Sequence, residues 1–271
     1  MTEMNGEAEE EEGGDRLRHI HDELSANPGQ HRKSSSWLPL ESNPEMFTSF
    51  ARRIGNLPPE WSFIDVFAFD EYSLQSIPRP VAAVILLFPC TDAIYAARAE
   101  QKERLVRELA SGNLTPAAKG ALHIEQVASF GNACGSIACV HSLSNADLSI
   151  TGPLAHFRET TAHLSTARER GNILVASDIH GLSDKSASDS VAQTVCPDTG
   201  DTYLGHHYCS FVSMNAHIVE LDGTKASPVD HGPISSDSDL LKEAARVVRE
   251  EWMQVEPDRI DFSLMALAKT G

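Results

Sequence analysis

The stretch Val81 to Phe88 (Val-Ala-Ala-Val-Ile-Leu-Leu-Phe) is an unbroken apolar run closed by Pro89. It has no polar face to turn toward water. A run of this length bounded by proline reads as a strand buried on both sides at the centre of a sheet. The chain around it must therefore supply cover for both faces.

The neighbouring patterns supply it. Asn43 is placed to cap a helix that has Pro44 at its first position; Phe47, Phe50, Ala51 and Ile54 fall on one face, and Gly55 offers a stop. Ser62 to Phe69 alternates like a strand, with Phe63, Asp65, Phe67 and Phe69 on one side. A carboxylate among those aromatics suits an edge or a partner-facing strand better than a plain core strand. Ala93 to Ala110 is helical and charged, and Leu154, Phe157, Thr161 and Leu164 are spaced for another helix. Tyr208 to Met214 and His217 to Leu221 read as a hairpin turned at Asn215-Ala216 and closed by Asp222-Gly223. Ser238 stands where it would cap a helix with Leu240, Leu241, Ala244, Val247, Val248 and Trp252 on one face, and a last strand runs from Ile260 to Leu267. The expected class is α+β, a largely antiparallel sheet flanked by helices. Gly171 to Gly205 breaks every periodic run with Gly, Ser, Asp and Pro, and reads as a long functional loop.

The chain has 271 residues and a formal net charge of −17. Such an acidic balance disfavours nucleic acid, and no stretch is apolar for the length of a bilayer, so neither nucleic acid nor membrane is expected as a partner. Much of the acidity sits early, in Glu7 and Glu9 to Glu12. Residues 1–36 are too poor in apolar side chains to offset their ordering entropy, so they read as a disordered acidic tail ahead of a single domain at 37–271. Omitting that tail is expected to leave catalysis unchanged. Five cysteines without framework spacing point to reduced thiols and a cytoplasmic, monomeric protein.

One cysteine stands apart. In Phe130-Gly-Asn-Ala-Cys134-Gly-Ser-Ile137 a thiol precedes a helical pattern (Ala133, Ile137, Val140), with Asn132 as the expected N-cap. Unsatisfied N–H groups and the helix dipole at such a place favour a thiolate, the form of cysteine that attacks carbonyl carbon. Folding the hairpin brings His207 and Asp222 nearly opposite each other. The carboxylate would accept the imidazole Nδ1–H, and the other ring nitrogen would face Cys134. That is a nucleophile, a general base and an orienting carboxylate in papain-like order. A competing reading takes His206, His207, Cys209 and His217 as zinc ligands, but it lacks the paired spacing of a zinc knuckle, so no metal is expected.

From Trp37 onward the chain resembles the ubiquitin C-terminal hydrolase family of cysteine peptidases. The residues that carry the likeness are Trp37-Leu-Pro-Leu-Glu41-Ser-Asn-Pro-Glu45, Ile77-Pro-Arg-Pro-Val81, Leu86-Leu-Phe-Pro89 and Asn132-Ala-Cys134-Gly-Ser-Ile137. His207, Glu220-Leu-Asp222-Gly223 and Val229-Asp-His-Gly232 follow in order. The resemblance implies one domain with a knotted backbone and no cofactor. It also implies a thiol hydrolase that frees small adducts or short peptides from the C-terminal glycine of ubiquitin. Cys134 would be the nucleophile, His207 the base and acid, and Asp222 the orienting group. Gly171 to Gly205 would be the active-site crossover loop, and Glu41, Glu45 and Asp65 would meet the arginine-rich tail of ubiquitin. The family sets an oxyanion-hole glutamine six residues before its nucleophile. Without a gap that place is Ala128, while Gln126, two residues earlier, serves only across a two-residue insertion. A chain lacking that amide would be a ubiquitin-binding protein with weak or no catalysis, the alternative reading.

Overall fold

A computed structural model describes residues 16–26, 37–111, 118–127, 131–190, 205–234 and 240–271. The sheet is built from β1 (Trp61–Val66), β2 (Val81–Pro89), β3 (His206–Met214), β4 (His217–Leu221), β5 (Val229–Pro233) and β6 (Ser263–Lys269). All pairings are antiparallel, in the order β1-β6-β2-β3-β4-β5. The apolar run is β2, paired on both edges by β6 and β3. Its Ala83 and Ile85 join one core layer; Val81, Val84, Leu86 and Phe88 join the other. Both faces are buried because the strand alternates between two cores, each closed by helices.

On the first face lie α2 (Pro44–Gly55), α5 (Cys134–Asn145), α6 (Gly152–Thr161), α7 (Ala167–Val175) and α8 (Asp178–Ser190), which contribute Phe47, Phe50, Ile137, Leu154, Leu174 and Ile179. On the second lie α3 (Glu71–Ser76), α4 (Asp92–Ala110), and α9 (Leu240–Val247) with its π-helical continuation Val248–Met253. Asn43 caps α2 as its sequence requires, accepting from the N–H groups of Glu45 and Met46. The left-handed residue that ends α2 is Asn56 (φ 47°), one beyond Gly55. No helix among the described residues is long and apolar enough to cross a membrane.

Three expectations change. Residues 171–190, read as loop, are mostly helix. Thr166 and Glu169 form a reciprocal capping box that starts α7, and α8 packs a face of small residues, including the buried Ser183 and Ser186, against its neighbours. Ser183 Oγ lies 2.6 Å from Ser136 Oγ, and Arg53 donates to Ser186 Oγ at 3.1 Å. The rest of that stretch, 191–204, lies outside the described residues, as does Ser238. Second, the strand expected over Ser62 to Phe69 ends at Val66, leaving Phe67 exposed. Third, the N-terminal segment is not structureless throughout: Arg16–Ala26 forms a helix, α1, whose Leu17 is fully buried in the second core layer and whose Ile20 is nearly so.

Gly171 marks the tightest crossing. A Cβ built there would sit 2.3 Å from the backbone oxygen of Glu125, whose own N–H donates to Ala167 O. Neither main chain can yield without moving α7 away from the 121–127 segment. Gly171→Ala is therefore expected to lower stability by roughly 1–3 kcal/mol or more, the range for overpacking, read as a drop in the thermal midpoint.

Candidate active site

The site forms where the N-terminus of α5 meets the ends of β3 and β4. Cys134 is the first residue of α5 and its thiol is half-buried. The expected Asn132 cap is not formed. Ala133 holds the cap position (φ −87°, ψ 1°), and no side chain caps the helix. The leading N–H groups of α5 therefore stay open to an anion, which a capped helix would not allow.

His207 is the second residue of β3, opposite Phe88 of β2, whose ring meets the imidazole edge-on at 5.4 Å between centroids. Asp222 follows β4 directly. The last ladder pair is Ser210 with Leu221, so the carboxylate reaches back along the hairpin to His207, Nε2 to Oδ1, at 2.9 Å. The Cys134 side chain also acts on the imidazole and adds to its raised pKa. The three expected residues are thus brought together, with Nε2 rather than the expected Nδ1 serving the carboxylate. Burial disfavours charge on His207. The Asp222 charge and the hydrogen bonds to Asp222 and Cys134 outweigh it and raise its pKa to about 9. Burial likewise opposes ionisation of Asp222, but the charges of His207 and Arg98 hold its carboxyl well below the ordinary range.

Arg98 was not anticipated. It lies on α4, is almost wholly buried, and donates from Nη1 to Asp222 Oδ2 at 2.8 Å and from Nη2 to Thr224 Oγ1 at 2.6 Å. Thr224 returns two bonds to Asp222 Oδ1, from its N–H and its hydroxyl, each at 2.8 Å. His123 Nε2 donates to the Asp222 carbonyl at 2.9 Å and stacks on His141, whose Nε2 accepts from Ile124 N–H. The carboxylate is therefore fixed at both oxygens, and its backbone at the carbonyl. The neighbouring alanines give no cue to it: Ala96 is exposed, and Ala97 and Ala99 are only partly buried.

Gln126 is buried beside this cluster. Its N–H donates to Gly223 O at 2.7 Å and its side-chain Nε2 to Gly131 O at 3.1 Å, which leaves the amide's second N–H unspent. Gly223 is closely packed: a Cβ there would lie 3.1 Å from Ile137 Cγ2 and 3.2 Å from both Gln126 Cβ and N. The Asp222-Gly223 corner thus touches both α5 and the Gln126 segment. Ala128 lies outside the described residues.

The residues weighed as zinc ligands have other partners. His206 meets Asp261 at 3.1 Å, His207 meets Asp222, and His217 meets Asp230 at 2.9 Å, while Cys209 is packed in the second core layer. The three expected partner-facing carboxylates are not joined by one contact. Glu41 and Glu45 are exposed, in the segment before α2 and in its first turn. Asp65 is partly buried on the face of β1 that carries Phe63, and burial raises its carboxyl pKa.

Residues 37–254 match the family model described as ubiquitin carboxyl-terminal hydrolase, family 1. A Drosophila melanogaster ubiquitin carboxyl-terminal hydrolase is 36% identical over 236 residues, covering 86% of this chain and 97% of its own length. The human ubiquitin carboxyl-terminal hydrolase isozyme L1 is 32% identical over 237 residues, covering 86% and 98%. In fold, the chain is similar to the Trichinella spiralis UCH37 catalytic domain, solved bound to ubiquitin vinyl methyl ester. The TM-score is 0.64 at 22% identity, over 89% of this chain and 99% of that one.

Proposed function

The chain belongs to ubiquitin carboxyl-terminal hydrolase family 1, a family of cysteine peptidases, and on that basis we propose that it hydrolyses small adducts or short peptides from the C-terminal glycine of ubiquitin. The observation that carries the proposal is a buried imidazole hydrogen-bonded to a buried, ionised Asp222 and acted on by the half-buried Cys134 side chain at the start of α5.

The chemistry follows from those contacts. Cys134 Sγ, its proton already held by His207 at neutral pH, attacks the carbonyl carbon of the terminal glycine as the thiolate. Negative charge develops on the carbonyl oxygen beside the uncapped start of α5, where the Cys134 N–H and the unspent N–H of Gln126 meet it. Collapse breaks the bond to the leaving group, which takes its proton from His207 and leaves a thioester. Water, deprotonated by His207, then releases ubiquitin and restores the thiol. Asp222 stays ionised throughout and steadies the imidazolium. Glu41, Glu45 and Asp65 form an acidic approach for a basic tail.

Gln126 bears on the choice between enzyme and binding protein. A buried amide with a spare N–H, packed against Gly223 and bonded to Gly131 near Cys134, favours the alignment in which the connection to Cys134 carries two extra residues. The amide expected at Ala128 is then supplied by Gln126. A fluorogenic ubiquitin C-terminal amide tests this reading. The chain is expected to turn it over, and Gln126→Ala to lose roughly a hundred- to a thousandfold in kcat at similar KM. Tight binding without turnover would favour the binding protein, and a silent Gln126→Ala would remove Gln126 from the oxyanion hole.

A further inference from the structure

Helix α1 lies before Trp37, outside the span that matches the family model. It bridges two parts of the molecule. Arg18 binds the first turn of α4, Nη2 to Asp92 Oδ1 at 3.0 Å, with its guanidinium 5.4 Å above the Tyr95 ring. Leu17, wholly buried, seats the helix between these contacts and the next. Arg16 forks onto the 121–127 segment ahead of the candidate nucleophile, with Nη1 2.5 Å from Glu125 Oε1 and Nη2 donating to the Gln126 carbonyl at 3.0 Å.

We propose that Arg16 is a positioning residue for the hydrolysis, holding the main chain of Gln126 so that its amide meets the developing oxyanion. This role rests on the hydrolase reading given above. Arg168 also approaches Glu125, at 3.7 Å, so that carboxylate keeps a cation without Arg16, whereas the Gln126 carbonyl has Arg16 as its bonded partner. Oxyanion donors act only at hydrogen-bond distance from an oxygen that exists transiently, so a small drift of the Gln126 segment weakens the transition state more than the ground state. A displacement near 1 Å costs about a hundredfold, and loosening one tether should cost less, about tenfold. The helix that the sequence marks as dispensable thus becomes part of the support for catalysis.

The test uses the full chain and the fluorogenic ubiquitin amide, with alkylation of Cys134 by iodoacetamide as a reaction that needs no oxyanion donor. Arg16→Ala is expected to lower kcat about tenfold at unchanged KM, with the Cys134 alkylation rate unchanged and Arg16→Lys recovering part of the loss. Leu17→Asp, which undocks α1 without touching Gln126, should reproduce the kcat loss. In a Gln126→Ala background, Arg16→Ala should add nothing. The positioning role is overturned by wild-type kcat in Arg16→Ala, by alkylation slowing in step with turnover, or by the same fold-loss in the Gln126→Ala background. A wild-type chain that never turns the substrate over overturns the hydrolase reading, and this role with it.

Discussion

Cys134→Ala is expected to abolish turnover of the ubiquitin amide while leaving ubiquitin binding in place. In a comparable serine triad, loss of the nucleophile alone costs on the order of a million-fold in kcat, about as much as loss of the whole triad. On the proposed mechanism the same reason applies, because His207 and Asp222 would work only through the attacking sulfur. His207→Ala should fall almost as far, and the double variant no further. Binding should survive because Glu41, Glu45 and Asp65 are left unchanged. Titration of labelled ubiquitin against Cys134→Ala, beside a turnover assay, reads both quantities. Residual turnover within tenfold of wild type would remove Cys134 from the nucleophile's role.

The second large effect belongs to Arg98. Arg98→Met keeps the volume of the side-chain stem in its apolar surroundings but removes a cation from a carboxylate that is wholly buried. Breaking one side of such a pair typically costs about 3–5 kcal/mol, because the remaining charge is stranded. Denaturant unfolding at neutral pH should show that loss, and kcat should fall as Asp222 releases its hold on His207. The pH dependence has a definite sign. Asp222 is a carboxyl whose pKa is depressed by folding. Its stabilisation is fully present above the unfolded value, near 4, and is lost as pH falls through the folded one. Without Arg98 the folded value rises, so acid unfolding should begin at higher pH than in the wild type. An unchanged acid transition would show that His207 and Lys225 suffice for Asp222. In the intact chain His207 adds a limb at the other end: its pKa is raised to about 9, so its contribution is complete below about 6.5 and fades as pH climbs through 9.

Legibility followed the physics of each segment. The two-faced apolar run of β2 and the Asn43-Pro44 start of α2 are local signals that folding does not override. The pairing of His207 with Asp222 was legible because a tight hairpin fixes its own register, whereas the approach of Cys134, on α5, is not contained in it. Which ring nitrogen faces which partner depends on the strand's approach to α5, which no hairpin register contains. Helix α8 was hidden because Ile179 shares its buried face with Ser183, Ser186 and Ala187, small residues whose value lies in size rather than hydropathy. For α7 the Thr166 and Glu169 capping pair was present to be read, but the surrounding Gly and Ser obscured it. Helix α1 was missed for a compositional reason: one leucine and one isoleucine carry its docking, and the acidic run before it dominates any average. Arg98 and His123 are polar groups whose burial is set by distant partners, so their roles emerge only once the layers close.

The strand order also bears on how the protein is made. β6, the last strand synthesised, lies between β1 and β2 and forms ladders with both. While the polypeptide is still emerging, the earlier strands can gather only as two separate sets, with β1 apart from the β2-to-β5 array. The seam that unites them waits for the arrival of Ser263–Lys269. Ladders of such long sequence separation close slowly. During that interval β2 has one unpaired edge and incompletely covered apolar faces, the condition in which nascent chains associate wrongly. The order of synthesis therefore makes completion of the sheet, and of the site at its margin, a late and single event.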